Sequence, residues 1–197
     1  MEDMLDLSLN IPAISANQLR GELRALALFV QEMKVGKMLE IGTNKGGTFF
    51  MLCQMARPDA TVISLDIPGG LFGEKDSWFR EAALRRMTQK TQKYHRLLLN
   101  SHSTESLEKV TRILNGEKLD FLFIDGDHRY EGVKMDFEMY SPLVRPGGVV
   151  GFHDVGENSP AEGCAVDRFW SEIKFSYEHR EIVAAPGKGY GIGLLYV

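Results

Sequence analysis

Two apolar runs in the second half of the chain constrain the fold more than any other feature. Residues 119–125 read Leu-Asp-Phe-Leu-Phe-Ile-Asp, and a second run at residues 148–152 is followed directly by His153 and Asp154. The stretch between the runs has the amphipathic spacing of a helix. This pattern predicts two parallel, buried strands that end at the same edge of a sheet, where ligands of open α/β sheets bind.

The same alternation of apolar runs and helical patterns extends over most of the chain. It predicts strands at 37–41, 61–65, 94–99, 121–124 and 149–152, separated by helices at 46–55, 77–93, 104–114 and 130–143. Such connections give a mostly parallel sheet with helices on both faces. After a helix at 164–174, the strands at 177–183 and 190–197 are too close in sequence for a helical crossover, so we expect an antiparallel C-terminal hairpin.

The chain length predicts one α/β domain, because 197 residues can enclose a full hydrophobic core. We interpret residues 1–14 as an N-terminal arm, residues 15–34 as a leading helix and residues 35–197 as the core sheet. The leading helix is predicted to begin at a capping box formed by residues 15–18, Ser-Ala-Asn-Gln.

Composition argues against several classes of partner and location. The net charge of -4 gives no electrostatic reason to bind nucleic acid or an anionic membrane, and no apolar run is long enough to span a bilayer. The first residues lack the pattern of a signal peptide, and two cysteines do not make a disulfide framework. We therefore expect a cytoplasmic protein with free thiols at Cys53 and Cys164.

The segment at residues 39–47 has the form of a strand, a glycine turn and a helix start. Gly42 allows the backbone to turn and a ligand to approach, and the first amides of the following helix favour an acidic group. The segment is neither Gly-x-Gly-x-x-Gly nor a Walker A loop. Asp66, at the next strand end, is placed to hold a ribose diol, which predicts an adenosine-type ligand such as NAD or S-adenosylmethionine.

With these motifs the chain resembles the class I S-adenosylmethionine-dependent methyltransferases, and more narrowly the cephalosporin-hydroxylase-like group related to macrocin and catechol O-methyltransferases. The matching segments are Glu40-Ile41-Gly42-x-x-x-Gly46-Gly47, Asp66, Asn100-Ser101-His102-Ser103, Ile124-Asp125-Gly126-Asp127-His128-x-Tyr130-Glu131-Gly132-Val133, Arg145-Pro146-Gly147-Gly148, Phe152-His153-Asp154 and Gly191-Ile192-Gly193. The resemblance implies a Rossmann-like methyltransferase fold with a seven-stranded sheet.

The resemblance also implies where the cofactor binds. Glu40 and Gly42 would lie beside its methionine part, Asp66 at its ribose, and Ser101 with His102 near its adenine. The chain departs from the family at Asn100, where Asp is usual, so adenine recognition there is expected to be weaker or different. The full set of residues that we predict to bind the cofactor is Glu40, Gly42, Thr43, Gly46, Gly47, Asp66, Ser101, His102 and Asp125.

By the same resemblance, Asp125, His153 and Asp154 correspond to the metal ligands of the metal-dependent relatives. Those relatives generally have a carboxylate where this chain has His153, and Mg²⁺ prefers oxygen ligands. A mixed donor set suits Mn²⁺, Fe²⁺ or Zn²⁺ at least as well, and acid–base chemistry without a metal stays open. The resemblance also implies that the catalytic base is Asp127 or His128, and we favour His128 because imidazole titrates near neutrality.

These motifs together predict methyl transfer from S-adenosylmethionine to a hydroxyl of a small molecule, such as a sugar or natural product. Three alternatives stay open: a nicotinamide-dependent oxidoreductase, a non-catalytic cofactor-binding protein, and oxygen chemistry at an iron bound by Asp125, His128 and His153. The Gly- and Pro-rich loop at 67–76 is interpreted as a lid or as a contact with a second subunit, which leaves a homo-oligomer open, and residues 155–163 as a second wall of the pocket.

Overall fold

A seven-stranded mixed sheet forms the centre of the protein, as the sequence predicts. The computed structural model describes residues 1–10, 14–69, 78–157 and 163–197, with only the backbone described at residues 78–81. The proposed lid at 67–76 and the wall at 155–163 therefore lie largely outside the described residues. The strands are β1 (Lys37–Ile41), β2 (Thr61–Asp66), β3 (Lys93–Leu98), β4 (Leu119–Ile124), β5 (Val144–His153), β6 (Glu178–Ile182) and β7 (Ile192–Tyr196).

The strand order is β3-β2-β1-β4-β5-β7-β6. The five strands β1 to β5 pair in parallel. β7 pairs antiparallel with both β5 and β6, so the chain finishes in the predicted hairpin. The direction of winding reverses between β1 and β4, which are neighbours in the sheet. Their carboxyl ends therefore flank the crevice in which doubly wound sheets bind ligands.

Helices cover both faces of the sheet. Residues of α2, α3 and α4 pack with one face around Phe121 and Phe123, and residues of α5, α6 and α7 pack with the other around Leu122 and Ile124. This alternation along β4 explains its continuous apolar sequence, because both faces of the strand are buried. The helices are α1 (Glu2–Asn10), α2 (Arg20–Met33), α3 (Gly47–Met55), α4 (Trp78–Met87), α5 (Thr104–Leu114), α6 (Tyr130–Tyr140) and α7 (Val166–Ile173).

The N-terminal region differs from the sequence prediction. Residues 2–10 form helix α1 where an arm is expected, because Leu5 is completely buried in a small cluster with Leu23 and Met51. A nine-residue helix is too short to be stable alone, so this packing is what maintains it. The Ser8 hydroxyl also donates to the Gly47 carbonyl at 2.9 Å and fixes α1 to the start of α3.

The predicted capping box at residues 15–18 is wrong. Helix α2 begins at Arg20 after the N-cap residue Leu19, which makes no side-chain capping bond. Residues 15–18 instead run along the carboxyl edge of the sheet, where the Gln18 side chain bonds Asp125 and Thr48. Among the other boundaries, the largest shifts are that α4 ends at Met87 instead of residue 93 and that β5 begins at Val144 instead of residue 149.

Among the helices that the structure describes, none combines the length and the apolar character needed to cross a membrane.

Candidate functional site

A cavity of about 900 Å³ opens at the carboxyl edge of the sheet, between the ends of β1, β2, β4 and β5. Residues 15–18 form one wall and the loop after β3 forms another. The cavity collects all the predicted site residues except Glu40 and Gly46. Those that line it are Gly42, Thr43, Gly47, Asp66, Ser101, His102, Asp125, Asp127, His128, His153 and Asp154.

The turn after β1 needs its glycines for packing of the backbone. Gly42 has φ of +88°, and a Cβ placed on it would lie 2.0 Å from the carbonyl oxygen of Asp125. A Cβ on Gly47 would lie 2.2 Å from the backbone nitrogen of Ala16. Besides allowing a ligand to approach, glycine is therefore needed at position 42 because its backbone packs directly against the end of β4.

Asp66 ends β2 and faces the cavity, as expected of a ribose-binding carboxylate. Its Oδ2 accepts a hydrogen bond from the Asn44 amide at 2.7 Å, and its Oδ1 accepts one from the Ile67 amide at 2.9 Å. These two bonds hold the carboxylate in one orientation. A carboxylate held in this way presents its oxygens at a fixed position on the cavity edge.

Glu40 and Gly46, which are also predicted to bind the cofactor, are not among the residues that line the cavity. Glu40 is 1% exposed, and neither of its carboxyl oxygens has a hydrogen-bond partner among the described residues. Burial raises the pKa of the Glu40 carboxyl well above its usual range, and the Asp125 carboxylate acts in the same direction. Gly46 is the N-cap of α3, and its Cα faces Leu84.

The loop after β3 presents the predicted adenine-binding residues to the cavity. Asn100 uses its side-chain oxygen to accept the His102 amide at 3.0 Å, so it orders this turn. His102 Nε2 lies 3.3 Å from Oδ1 of Asp136, a completely buried residue of α6. Burial raises the pKa of Asp136 to about 6. Asp136 is a site-supporting residue that the sequence analysis does not identify.

The ends of β4 and β5 bring two carboxylates and two imidazoles into direct contact. Nδ1 of His153 lies 3.2 Å from Oδ1 of Asp125 and 3.3 Å from Oδ1 of Asp154. His128 lies between the same acids, with Nε2 3.3 Å from Asp125 and Nδ1 3.0 Å from Asp154. Gln18 completes the arrangement by donating to Oδ2 of Asp125 at 2.6 Å. We call Asp125, His128, His153 and Asp154 the acid–imidazole cluster.

Charge pairing determines the protonation of this cluster. Burial alone would raise the pKa of Asp125, but the charges of His153 and His128 outweigh it and hold that pKa at about 2. Hydrogen bonds to Asp125 and Asp154 raise the pKa of His128 to about 12. Burial would lower the pKa of His153, yet Asp125 raises it overall. At neutral pH His128 is therefore an imidazolium, which contradicts the expectation that it titrates near neutrality as a ready base.

Asp127 is separate from the cluster and has a different partner. Its Oδ2 accepts from Arg129 Nη2 at 2.6 Å, and this bond lowers the pKa of the Asp127 carboxyl. Gly132 leaves the room that Asp127 occupies, because a Cβ there would lie 2.2 Å from Asp127 Cγ. Asp127 therefore lines the cavity, but unlike Asp125 it has no histidine within salt-bridge distance among the described residues.

The donor atoms in the cluster are of the kinds that bind a divalent cation, but Asp125, His153 and Asp154 do not form a set whose ligand atoms all lie within 4.8 Å of one another. Ligands at right angles around an ion with bonds of about 2.2 Å are roughly 3.1 Å apart, which is close to the separations of His153 Nδ1 from Asp125 and Asp154. A second set shares one of these residues: ligand atoms of His128, Asp154 and Cys164 lie within 4.8 Å of one another. No motif in the sequence predicts a role for Cys164 in the site.

Two curated proteins are similar to this chain in sequence. An uncharacterised protein of Sinorhizobium fredii is 28% identical over 177 residues, which cover 85% of this chain and 18% of the relative. An uncharacterised protein of Acanthamoeba polyphaga mimivirus is 30% identical over 142 residues, which cover 69% of this chain and 60% of the relative. The chain thus spans less than two thirds of the length of either relative.

The fold has close counterparts among solved structures. An O-methyltransferase from Bacillus cereus, solved in complex with S-adenosylhomocysteine, matches with a TM-score of 0.62 at 22% identity, covering 100% of this chain and 90% of that chain. Residues 39–155, from β1 to just after β5, match the profile of a family described as a methyltransferase domain. The chain therefore belongs to this methyltransferase-domain family, which confirms the resemblance to class I S-adenosylmethionine-dependent methyltransferases.

Proposed function

We propose that this protein transfers the methyl group of S-adenosylmethionine to a hydroxyl group of a small molecule. One observation carries the proposal: a single cavity holds the Asp66 carboxylate at one strand end and the acid–imidazole cluster at two others. The Asp66 carboxylate, which we propose to bind a diol, and the titratable side chains of the acid–imidazole cluster therefore face the same cavity. Family membership supports methyl transfer over the nicotinamide alternative, and the S-adenosylhomocysteine complex of the Bacillus cereus enzyme supports the choice of cofactor.

In this arrangement the cofactor spans the cavity. We assign the ribose to Asp66, the methionine part to the turn at Gly42 and Thr43, and the adenine to the loop carrying Ser101 and His102. The reactive methyl group would then lie near the end of β4. Holding the cofactor and the acceptor in one orientation supplies much of the rate of such a displacement.

The reaction requires an acceptor oxygen that loses its proton. A bond forms between this oxygen and the methyl carbon, the carbon–sulfur bond breaks, and its electron pair remains on sulfur. We assign the acceptor proton to Asp127, because it lines the cavity and is not paired with a histidine of the cluster. His128, an imidazolium whose two ring nitrogens face Asp125 and Asp154, is assigned the role of positioning these two carboxylates.

Asp125, His153 and Asp154 are the residues that we propose to hold a divalent cation. The cation, when bound, would act as a Lewis acid toward the acceptor oxygen. The two carboxylates and the imidazole supply the mixed oxygen and nitrogen donors that Mn²⁺, Fe²⁺ and Zn²⁺ accept more readily than Mg²⁺ does.

Asp66→Ala tests the placement of the cofactor. We expect the variant to lose affinity for S-adenosylhomocysteine, by at least about tenfold because a buried diol would lose its charged acceptor. The matched control is Asp59→Ala, which removes an exposed aspartate that pairs with Arg57, away from the cavity. Both variants are titrated calorimetrically. Equal affinity for both would refute the assignment of Asp66.

A further inference from the structure

Cys164 lies beside the acid–imidazole cluster, in the segment that leads into α7. Its Sγ, a ring nitrogen of His128 and a carboxylate oxygen of Asp154 all lie within 4.8 Å of one another. The segment is fixed there, because the Ala165 amide donates to the His128 carbonyl at 2.8 Å. This backbone hydrogen bond therefore holds the Cys164 thiol close to the His128 imidazole.

The three groups form a donor set of known preference. Thiolate, imidazole and carboxylate are the ligands that Zn²⁺ selects, whereas Mg²⁺ and Ca²⁺ avoid sulfur. A tetrahedral ion with bonds of about 2.0–2.3 Å separates its ligands by roughly 3.5 Å. His128 Nδ1 and Asp154 Oδ2 are already 3.0 Å apart, so small side-chain rotations would bring all three groups around one ion. Asp154 is buried, while His128 and Cys164 are partly exposed and leave an approach from solvent.

We propose that His128, Asp154 and Cys164 form a binding site for a thiophilic divalent cation, with Zn²⁺ as the ion that fits best. The site shares Asp154 with the cation site that we propose at Asp125, His153 and Asp154. Its other two ligands, the Cys164 thiol and the His128 imidazole, belong to this site alone. The two sites therefore exclude each other when Asp154 is used. On binding, the protons of the thiol and of the imidazolium pass to solvent, and no oxidation or reduction is involved.

Cobalt(II) provides a direct test, because it replaces zinc and reports its own ligands. Titration of the full chain with Co²⁺ should produce a thiolate-to-cobalt charge-transfer band in the near ultraviolet, saturating at one ion per chain. Cys164→Ser should abolish the band. The matched control, Cys53→Ala, should retain it, because Cys53 is completely buried in the other hydrophobic cluster.

A second measurement keeps the proposal testable if a variant folds poorly. In the unaltered protein, Zn²⁺ should protect Cys164 from alkylation by iodoacetamide, whereas Mg²⁺ should not. Calorimetry should show Zn²⁺ affinity falling by at least about 100-fold in Cys164→Ser, since a direct ligand matters more than an outer-shell group. Absence of the charge-transfer band in the unaltered protein, or its persistence in Cys164→Ser, would overturn the proposal. Neither result depends on cofactor binding or methyl transfer.

Discussion

Replacing Asp125 by Asn tests the account of the acid–imidazole cluster. The carboxylate faces His128 at 3.3 Å and His153 at 3.2 Å, and these charges lower its pKa from 3.8 to about 2. Since each unit of pKa corresponds to 1.36 kcal/mol, the lowered pKa is equivalent to about 2.5 kcal/mol of folding free energy at neutral pH. Asp125→Asn should lower the free energy of unfolding by about that amount.

The pH dependence of this effect has a definite sign. A carboxyl group with a lowered pKa stabilises the folded state above the pKa of the unfolded chain, near 4, and the contribution is lost as the pH falls through about 2. Urea unfolding at pH 7 should therefore show the full difference between wild type and variant, and unfolding at pH 3 a smaller one. In a thermal scan at pH 7, we expect the midpoint to fall by roughly 5–10 °C.

Asp127→Asn is the matched control from the same turn. Its carboxylate pairs with Arg129, whose side chain is 78% exposed, so its loss should cost under about 1 kcal/mol. Nitrogen chemical shifts of the imidazoles provide a second measurement: His128 should remain protonated at pH 8 in the wild type and titrate at lower pH in Asp125→Asn. Equal stability of both variants, together with an unchanged His128 titration, would refute the charge pairing described here.

Three further predictions concern the backbone, a buried acid and the reaction. Gly42→Ala should destabilise the protein by more than about 2 kcal/mol, because the added Cβ would meet the Asp125 carbonyl. Gly116 also has a positive φ, but no atom lies within 4 Å of a Cβ placed there, so Gly116→Ala should cost only about 1 kcal/mol. Equal losses of stability on urea unfolding would contradict this prediction. The pKa of Asp136 is raised to about 6, so the stability of the wild-type protein should fall as the pH rises from 4 to 6. Asp136→Asn should therefore be more stable than wild type at pH 8, by up to about 3 kcal/mol, and similar to it at pH 4. Parallel plots of unfolding free energy against pH for the two proteins would exclude this explanation. In turnover assays Asp127→Asn should lower kcat by about 100-fold or more and His128→Gln should mainly raise KM, and the opposite pattern would exchange the two assigned roles.

The strand ends could be predicted from the sequence because local patterns determine them. The apolar run at 119–124 is buried on both faces of the sheet, and a run of this kind followed by acids and a turn has few other interpretations. Parallel pairing then brings Asp125 and His153 to one edge, which is sufficient to anticipate their contact. The hairpin follows from connection length alone.

Other features depend on contacts that no local pattern encodes. Gln18 reaches Asp125 across 107 positions of sequence, and its segment has the local appearance of a helix cap. Glu40 is adjacent to the glycine turn in sequence, yet its side chain is buried in the interior of the protein. Helix α1 is maintained by burial of Leu5 against α2 and α3, a tertiary effect that outweighs a weak helical pattern.

The protonation of His128 shows the same limitation in the site itself. From sequence, an imidazole is expected to titrate near neutrality. The structure places it between the carboxylates of Asp125 and Asp154, 3.3 and 3.0 Å away, and this contact raises its pKa to about 12. The residue types are readable from the chain, but their charge states follow from distances that only the fold provides.

Calorimetric titration of the purified protein with S-adenosylhomocysteine tests the central claim most directly. The cavity that joins Asp66 to the acid–imidazole cluster predicts saturable binding of one ligand per chain with a dissociation constant of roughly micromolar size. Absence of binding at millimolar ligand would contradict the claim that this cavity is a cofactor site for methyl transfer.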